Sequence, residues 1–592
     1  MAGSRLLTLP DELLSHIISY SNSVTATINI GLTCRRLYGI MQTSPAWREH
    51  CCRNWARWDD QHDINTKFEQ PVLQTDWYAL FCERSKADRE VLRLLEELLT
   101  TKRDRVARMG VVAARGADVD DVLHRVATTT PDDVDDVLAR KWHAMAMIEM
   151  RYRRQAVDVW CRMHAGESVD LLHAISAFDE FVLGPGVNME FIEASLRRIS
   201  LEIVQGTQGA WERYTTREKA HEIAGFLRAQ RYIGLDRRTS VLELSNNFLA
   251  PSVLFNPRSA ASRPLQSVVI FCSIAQMLGV TAEPILTPRH VYAVVSADAQ
   301  TTLEGQSRAG HGETDAFEDI RMYMDPYDHS ERVERLELVQ QLQDVGVSPM
   351  NYGAHLSPAS PRNMVLEAAG SMLVSLRGNM DTVETTEDLE REPLFDHGRC
   401  EFAAMWASFI FSTENFDRLD ALRSLMGMVH NKFSQDLVQF EEVMPRLVQD
   451  LYAPQHWRPL ERLGVLREDH GKPVIPKRRR IWTDLAYKVG TQFRHRHFGY
   501  RGIITGWDER CTASPEWKAH MNVDGLSKGD DQPFYHVIGV DDIQRYVAEE
   551  NIIPMSSPPP RRMLRMAGRF FKRWGEVDQR FVSNVREEYP DD

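Results

Sequence analysis

The sequence predicts a multidomain α+β protein: an N-terminal helical module, a helical spacer, an α+β middle domain and a small C-terminal β-barrel. Three observations predict it. Apolar residues recur at helical spacing through residues 9–203. The strand-like His290-Val-Tyr-Ala-Val-Val295 follows a buried-type helix that runs to Leu278-Gly279. Residues 480–556 read as short strands broken by Gly490, Gly499, Gly502 and Gly506, a pattern that suits a small, strongly bent sheet.

Bulk properties bound the function. With 592 residues, 43% of them hydrophobic, the chain can bury several cores, and about three or four domains are expected. A formal charge of −13 argues against general nucleic-acid binding, because phosphate neutralisation needs a surplus of Lys and Arg on the contacting face. A local basic patch could still bind. The eight cysteines, at 34, 51, 52, 82, 161, 272, 400 and 511, contain no Cys-x-x-Cys pair, so neither a zinc site nor a disulfide framework is expected. No metal or other cofactor is implied. Asp11 and Glu12 interrupt any leader-like apolar core, and no apolar run is long enough to span a bilayer. We therefore expect a soluble protein of the cytoplasm or nucleus, without a membrane partner.

In the first 55 residues, Leu9-Pro10-Asp11-Glu12-Leu13-Leu14 places proline where a helix begins and acids in its first turn, opposing the positive end of the helix dipole. Leu9, Leu13, Leu14, Ile17 and Ile18 share an apolar face, and a second helical pattern runs through Ile30, Cys34, Leu37 and Ile40 toward Trp47. Two short helices bury little, so these faces must dock on the rest of the chain or on another protein; an ordinary helical hairpin would carry the same pattern. The order Leu-Pro-x-Glu-Leu-Leu, Cys34-Arg35-Arg36-Leu37-Tyr38 and Trp47 resembles the F-box. That resemblance implies docking to the Skp adaptor of cullin-RING ubiquitin ligases, with Leu9, Pro10, Leu13, Leu14, Ile17 and Ile18 filling the adaptor's apolar groove.

Residues 56–203 read as a helical spacer that leads into the middle domain. Within them Asp118-Val-Asp-Asp-Val-Leu123 recurs as Asp133-Val-Asp-Asp-Val-Leu138. A calcium loop would need a central glycine and a closing glutamate, whereas aspartates opening successive helices need no ligand, and the second reading is preferred.

The middle domain, residues 204–455, carries Asn246-Asn-Phe-Leu249, Arg263-Pro-Leu-Gln266, the buried-type helix, the His290 strand and Asp325-Pro326-Tyr327. This order resembles the SirB-type branch of the transglutaminase-like superfamily. Active members use a Cys-His-Asp triad, and His290 and Asp325 match its second and third places. Around Pro264 to Ser267, where the dipole would depress a thiol pKa, there is no cysteine, so the pair is read as vestigial and no catalysis is expected. Cys272 shares an apolar face with Leu265, Val268 and Ala275 and reads as a core thiol; Ser267 would need stronger base assistance than a thiol to replace the cysteine. Residues 299–318, 348–361 and 382–393 read as flexible loops, and a helical stretch covers 399–452.

In the barrel, the residues 493–504, Gly506-Trp-Asp508, Gln532-Pro-Phe-Tyr-His-Val537 and Tyr546-Val-Ala-Glu-Glu-Asn551 resemble the YccV-like domain, described in bacteria as a hemimethylated-DNA-binding or heat-shock protein and also as a protease adaptor. The resemblance implies recognition of DNA, protein or peptide. The residues expected to contact a ligand are Arg494, Arg496, Tyr500, Arg501, Trp507, Gln532, Phe534, Tyr535 and His536. Lys477-Arg-Arg-Arg480 precedes the barrel, and basic residues interleaved with aromatics suit phosphate contact and base stacking. Lys528-Gly-Asp-Asp531 weakens a phosphate site. Residues 557–592 should form an amphipathic helix over 561–574, docked on its own domain, and a solvated acidic tail over 586–592.

The three resemblances, in this order, resemble F-box-only proteins that carry a C-terminal YccV-like domain. They imply a substrate-recognition subunit of an SCF-type cullin-RING ligase, with Skp adaptor and cullin as partners. A DNA-binding protein acting through the barrel and a transglutaminase-like hydrolase built on His290 and Asp325 are the alternatives.

Overall fold

The computed structural model describes residues 5–236, 240–255, 261–307, 317–378, 390, 394–448, 471–479, 485–584 and 587–592. They form two compact units, one comprising Met1–Arg151, Asn431–Glu442 and Leu460–Asp592, the other Tyr152–His430 and Val443–Pro459.

The first 54 residues hold four short helices rather than the two expected: α1 (Asp11–Ser19), α2 (Val24–Gly31), α3 (Arg35–Gln42) and α4 (Ala46–Asn54). Ser23 opens α2 by accepting the Ala26 N–H at 3.3 Å. The periodicity from Ile30 to Ile40 is interrupted at Thr33, whose hydroxyl bonds back to the Ile30 carbonyl at 2.7 Å and closes α2. Leu14, Ile18, Leu37, Ile40, Met41, Trp47 and Cys51 then form one core with Trp77, Leu80 and Phe81. Those last three come from α6 (Trp77–Thr100), which follows α5 (Ile64–Glu69). The module's need for a docking partner is met in part by this long helix. At the centre, fully buried Trp47 donates its indole N–H to the Met41 carbonyl at 2.7 Å.

The spacer continues with α7 (Arg105–Ala113), α8 (Asp120–Thr129) and α9 (Val137–His164). Here the repeated aspartate motif does more than open helices. Asp118 and Asp120 are buried: Asp118 meets Arg84 at 3.0 Å and His62 at 2.7 Å, and Asp120 accepts from Arg151 at 2.6 and 2.7 Å and from Arg57 at 3.2 Å. Burying these charges costs desolvation that this mutual pairing, with the Asp59 N–H donated to Asp118 at 3.1 Å, offsets. In the second copy Asp136 pairs with Arg140 at 2.9 Å, both side chains half-buried.

The middle unit contains α10 (Leu171–Leu183), α11 (Met189–Gly206), α12 (Thr216–Ala229) and α13 (Pro264–Met277). A four-stranded antiparallel sheet follows in the order β1 (Thr281–Leu286), β2 (Val291–Ser296), β3 (Arg321–Met324), β4 (Arg332–Val333), with the one-turn α14 (Phe317–Ile320) leading into β3. Proline at N1 starts α13, and every residue from Leu265 to Ala275 is buried, so the helix packs on β1 and β2 with no solvated face. Cys272 sits wholly inside, where burial pushes its thiol pKa up, as a core thiol requires. Beyond the sheet come α15 (Arg335–Asp344), α16 (Tyr352–His355), α17 (Pro361–Gly378), α18 (His397–Phe411), α19 (Asn415–Asn431) and α20 (Leu437–Leu447). The loop expected at 348–361 thus contains a helical turn. Residues 308–316, 382–389, 391–393 and 449–452 of the expected loops and helix lie outside the described residues.

The barrel is a five-stranded antiparallel sheet ordered β8-β7-β6-β5-β9, built from β5 (Gln492–His495), β6 (Arg501–Asp508), β7 (Phe534–Gly539), β8 (Gln544–Ala548) and β9 (Ile552–Pro554), with α21 (Pro515–His520) between β6 and β7. Its two edge strands are joined by only three residues, Glu549–Asn551. A sheet whose first and last strands lie that close along the chain must curl nearly shut. A register shift between Ile504 and Gly506 supplies the bend in β6.

Two expectations for the C-terminal segment need correction. Only α22 (Arg561–Ala567) of the helix expected over 561–574 is helical; Phe571–Gly575 is β10, paired antiparallel with β11 (Arg580–Ser583). Alternating Phe571, Arg573 and Gly575 fit a strand as well as a helix wheel, and pairing with β11 decides between them. The acidic tail is not solvated: Tyr589 is buried, and Asp592 is ion-paired with Arg479 at 2.7 Å. Among the described residues, no helix is long and apolar enough to cross a membrane.

Candidate functional sites

Three places gather the residues singled out from the sequence. On the N-terminal module α1 has two apolar faces. Leu14 and Ile18 are each 1% exposed and belong to the module's own core, so they are not free to fill a partner's groove. Leu13 and Ile17, one turn apart, are 49% and 44% exposed, and Leu32, at the end of α2, is 69% exposed. Leu9 is half-buried and Pro10 exposed. Arg36 fixes the lead-in to this surface: its guanidinium bonds Asp11 at 2.6 and 2.9 Å and the Leu9 carbonyl at 2.8 Å. The outcome is a rigid edge carrying unpartnered apolar side chains.

In the middle unit the sheet brings His290, just before β2, to Asp325, just after β3. Their Nε2 and Oδ2 atoms lie 2.8 Å apart, an ion-pair distance at which the ring N–H is not aligned for a hydrogen bond. Tyr292 and Tyr327 flank the imidazole at 4.6 and 5.9 Å between ring centres. Asp325 Oδ1 accepts the Tyr327 N–H at 3.1 Å, which orients the carboxylate. Ser267 is fully buried, and its hydroxyl pairs with Ser262 at 2.8 Å and receives the Gly234 N–H at 3.1 Å. That hydroxyl is committed to structure and is no substitute nucleophile.

On the barrel the nine expected ligand residues divide by burial. Trp507, Gln532, Phe534 and Tyr535 are interior: the Tyr535 hydroxyl donates to Glu549 at 2.7 Å, and Gln532 exchanges hydrogen bonds with Glu550 at 3.2 and 3.3 Å. These four form the barrel and offer no open ligand surface: Phe534 lies buried against Tyr546 on the same strand face as the exposed His536, while Tyr535, on the opposite face, is covered by Tyr487. Arg494, Arg496 and His536 are exposed, and Arg501 is half-buried. Tyr500 is held between the His495 ring at 5.0 Å and the Arg545 guanidinium at 4.6 Å.

Two residues not singled out as ligand contacts organise the outer face. Asp508 Oδ2 accepts from His536 at 3.1 Å, Tyr546 at 2.9 Å and Thr512 at 3.1 Å, and Oδ1 accepts from Lys477 at 2.7 Å. Burial pushes the Asp508 carboxyl up, but the hydrogen bonds from His536, Lys477 and Tyr546 outweigh it and hold it well below the usual carboxylate range. Tyr546 also stacks on His536 at 4.7 Å. Both residues stand in the quoted motifs, but 38 positions separate them. The basic segment before the barrel is likewise spent: Lys477 on Asp508, Arg478 on Asp591 and Arg479 on Asp592. Arg480 and Trp482 lie outside the described residues.

Both ends of the chain match family models. Residues 6–53 match a family described as F-box-like, and residues 485–578 match one described as hemimethylated DNA-binding protein YccV like. The chain is 32% identical over 143 residues to F-box only protein 21 of Mus musculus, and to the same extent to those of Pongo abelii and Homo sapiens. These alignments cover 24% of this chain and 22% of each relative, so the chain spans about a fifth of the length of the curated relatives it matches. No solved structure matches. The F-box-like stretch contains α1 to α3 and nearly all of α4. The YccV-like stretch runs past residue 556, the expected end of the barrel, and takes in β10, ending just before its partner β11.

Proposed function

We propose that this chain is a substrate-recognition subunit of an SCF-type cullin-RING ubiquitin ligase, acting in the cytoplasm or nucleus. The observation that carries the proposal is the exposure of the apolar Leu13 and Ile17 on α1 and of Leu32 at the end of α2, all within the F-box-like stretch, side chains of the kind an adaptor's apolar groove takes up. In this reading α1 and the end of α2 hold the Skp adaptor and, through it, the cullin. The middle region is a SirB-type transglutaminase-like domain without its cysteine, and it serves, with the barrel, to bind substrate. The subunit then acts by raising the effective concentration of substrate near the ligase's thioester chemistry, with no active site of its own.

The test is capture of purified Skp adaptor and cullin by the intact chain beside a Leu13→Asp, Ile17→Asp variant. Capture by the intact chain and its loss in the variant are expected; failure of the intact chain to capture the adaptor would overturn the reading.

A second reading, a DNA-binding protein acting through the barrel, is favoured by one observation: Arg494, Arg496 and Phe498 stand exposed on the β5–β6 hairpin. It requires an affinity that falls steeply with salt, by about 0.9 logarithmic units per tenfold change in salt for each phosphate neutralised.

A further inference from the structure

Residues 587–592 are held by the barrel in a way that reads their sequence. The backbone N–H of Lys477 donates to the Glu588 carbonyl at 2.6 Å, an anchor any residue could supply. The side-chain contacts are selective. Tyr589 is buried against Trp507, with ring centres 5.6 Å apart, and its hydroxyl accepts the Trp507 backbone N–H at 3.3 Å. It fits only because position 506 is glycine: a Cβ there would lie 2.3 Å from the Tyr589 hydroxyl. Asp591 takes the Arg479 backbone N–H at 3.0 Å and the Arg478 guanidinium at 3.2 Å. Asp592 places one carboxylate oxygen 2.7 Å from Arg479 Nε and the other 2.9 Å from the Trp507 indole nitrogen.

We propose that this cradle is a peptide-recognition site for acidic segments of the form Tyr-x-Asp-Asp presented by another polypeptide, with residues 587–592 as its resident occupant. An aromatic anchor in a glycine notch, a main-chain bond and two acids each read by an arginine make up a complete recognition code for a short segment. The notch accepts the ring of tyrosine and rewards its hydroxyl, and Trp507 with Arg479 rewards a carboxylate where an amide would meet an unfavourable donor pairing. A tethered occupant acts at an effective concentration of the order of millimolar, so a second polypeptide enters when the resident segment is released. The inference rests on the proposed reading only in treating the barrel as a recognition module.

The test uses a fluorescent peptide of residues 587–592 and follows its anisotropy with the intact chain and with a chain stopped after Asn584. The shortened chain should bind the peptide saturably and the intact chain should not. Arg479→Glu in the shortened chain, or asparagine at both aspartates of the peptide, should weaken binding at least tenfold. A shortened chain that keeps its cooperative unfolding and Trp507 emission but binds no peptide overturns the proposal. If the shortened chain does not fold, the full-length Tyr589→Ala, Asp592→Asn variant replaces it, and absence of peptide binding there overturns the proposal equally. No step involves the Skp adaptor, so this failure and failure of the ligase reading are separately visible.

Discussion

The indole N–H of Trp507 donates to Asp592 Oδ2 across 2.9 Å, joining the end of β6 to a residue 85 positions further along the chain. This bond joins residues 587–592 to the barrel, and the ion pairs of Asp591 with Arg478 and of Asp592 with Arg479 take up charge that the sequence alone would assign to a free basic patch. Trp507→Phe keeps one aromatic ring, removes the donor and leaves part of the buried indole's space unfilled; the hydrogen bond to a charged group alone contributes about 1.5–3 kcal/mol. We expect a loss of at least that size in urea unfolding of the barrel, with a smaller further loss when Asp592→Asn is added, since both substitutions remove the same hydrogen bond.

Leu13 and Leu14 are neighbours with opposite fates. Leu13→Asp with Ile17→Asp should change stability by no more than about 0.5 kcal/mol per site, because exposed positions tolerate substitution. Leu14→Ala should cost about 2–5 kcal/mol by opening a cavity beside Trp47 and Met41. Thermal unfolding of the two variants, set beside adaptor capture, separates docking from folding.

The Asp118 cluster predicts a large effect far from any proposed ligand site. Asp118→Ala leaves Arg84, whose side chain has no exposure, without its nearest counter-ion, and breaking a buried pair from one side costs about 3–5 kcal/mol. Denaturant unfolding should report it, while Asp136→Ala in the second copy of the motif, where the pair is only half-buried and Arg140 keeps Glu96, should cost less than Asp118→Ala.

Asp179 gives a pH dependence with a definite sign. Burial raises its carboxyl to about 7, against the opposing N–H bonds from Ala250 at 2.8 Å and Leu249 at 3.2 Å. Because the folded value lies above the ordinary one near 3.9, this group's contribution is fully present below about pH 4 and is lost as pH rises through 7. Melting temperature should therefore fall between pH 5 and pH 8 by more in the native chain than in Asp179→Asn, and equal slopes would refute the assignment.

Cys272 should resist alkylation in the folded chain and react once denatured, whereas exposed Cys52 should react first; peptide mass spectrometry distinguishes them.

The sequence by itself determined the local elements with strong periodicity or fixed dihedral signals: Pro10 and Pro264 opening helices, the apolar run of α13, and the glycine-broken strands of the barrel. It also placed His290 at the start of a strand and Asp325 in the Asp-Pro-Tyr motif that follows a polar loop, and the fold brings them within 2.8 Å. Tertiary structure decided which of two equivalent faces turns inward. Leu13 and Leu14 are alike in hydrophobicity, and only packing of α1 on α3, within the core around Trp47, buries one and leaves the other out. Phe571 to Gly575 fits a helix wheel until pairing with β11 makes it a strand. Lys477 to Arg479 reads as free positive charge until Asp508, Asp591 and Asp592 arrive from distant positions. In each case local propensities are nearly equal, and long-range contacts, which no short window contains, supply the difference in free energy.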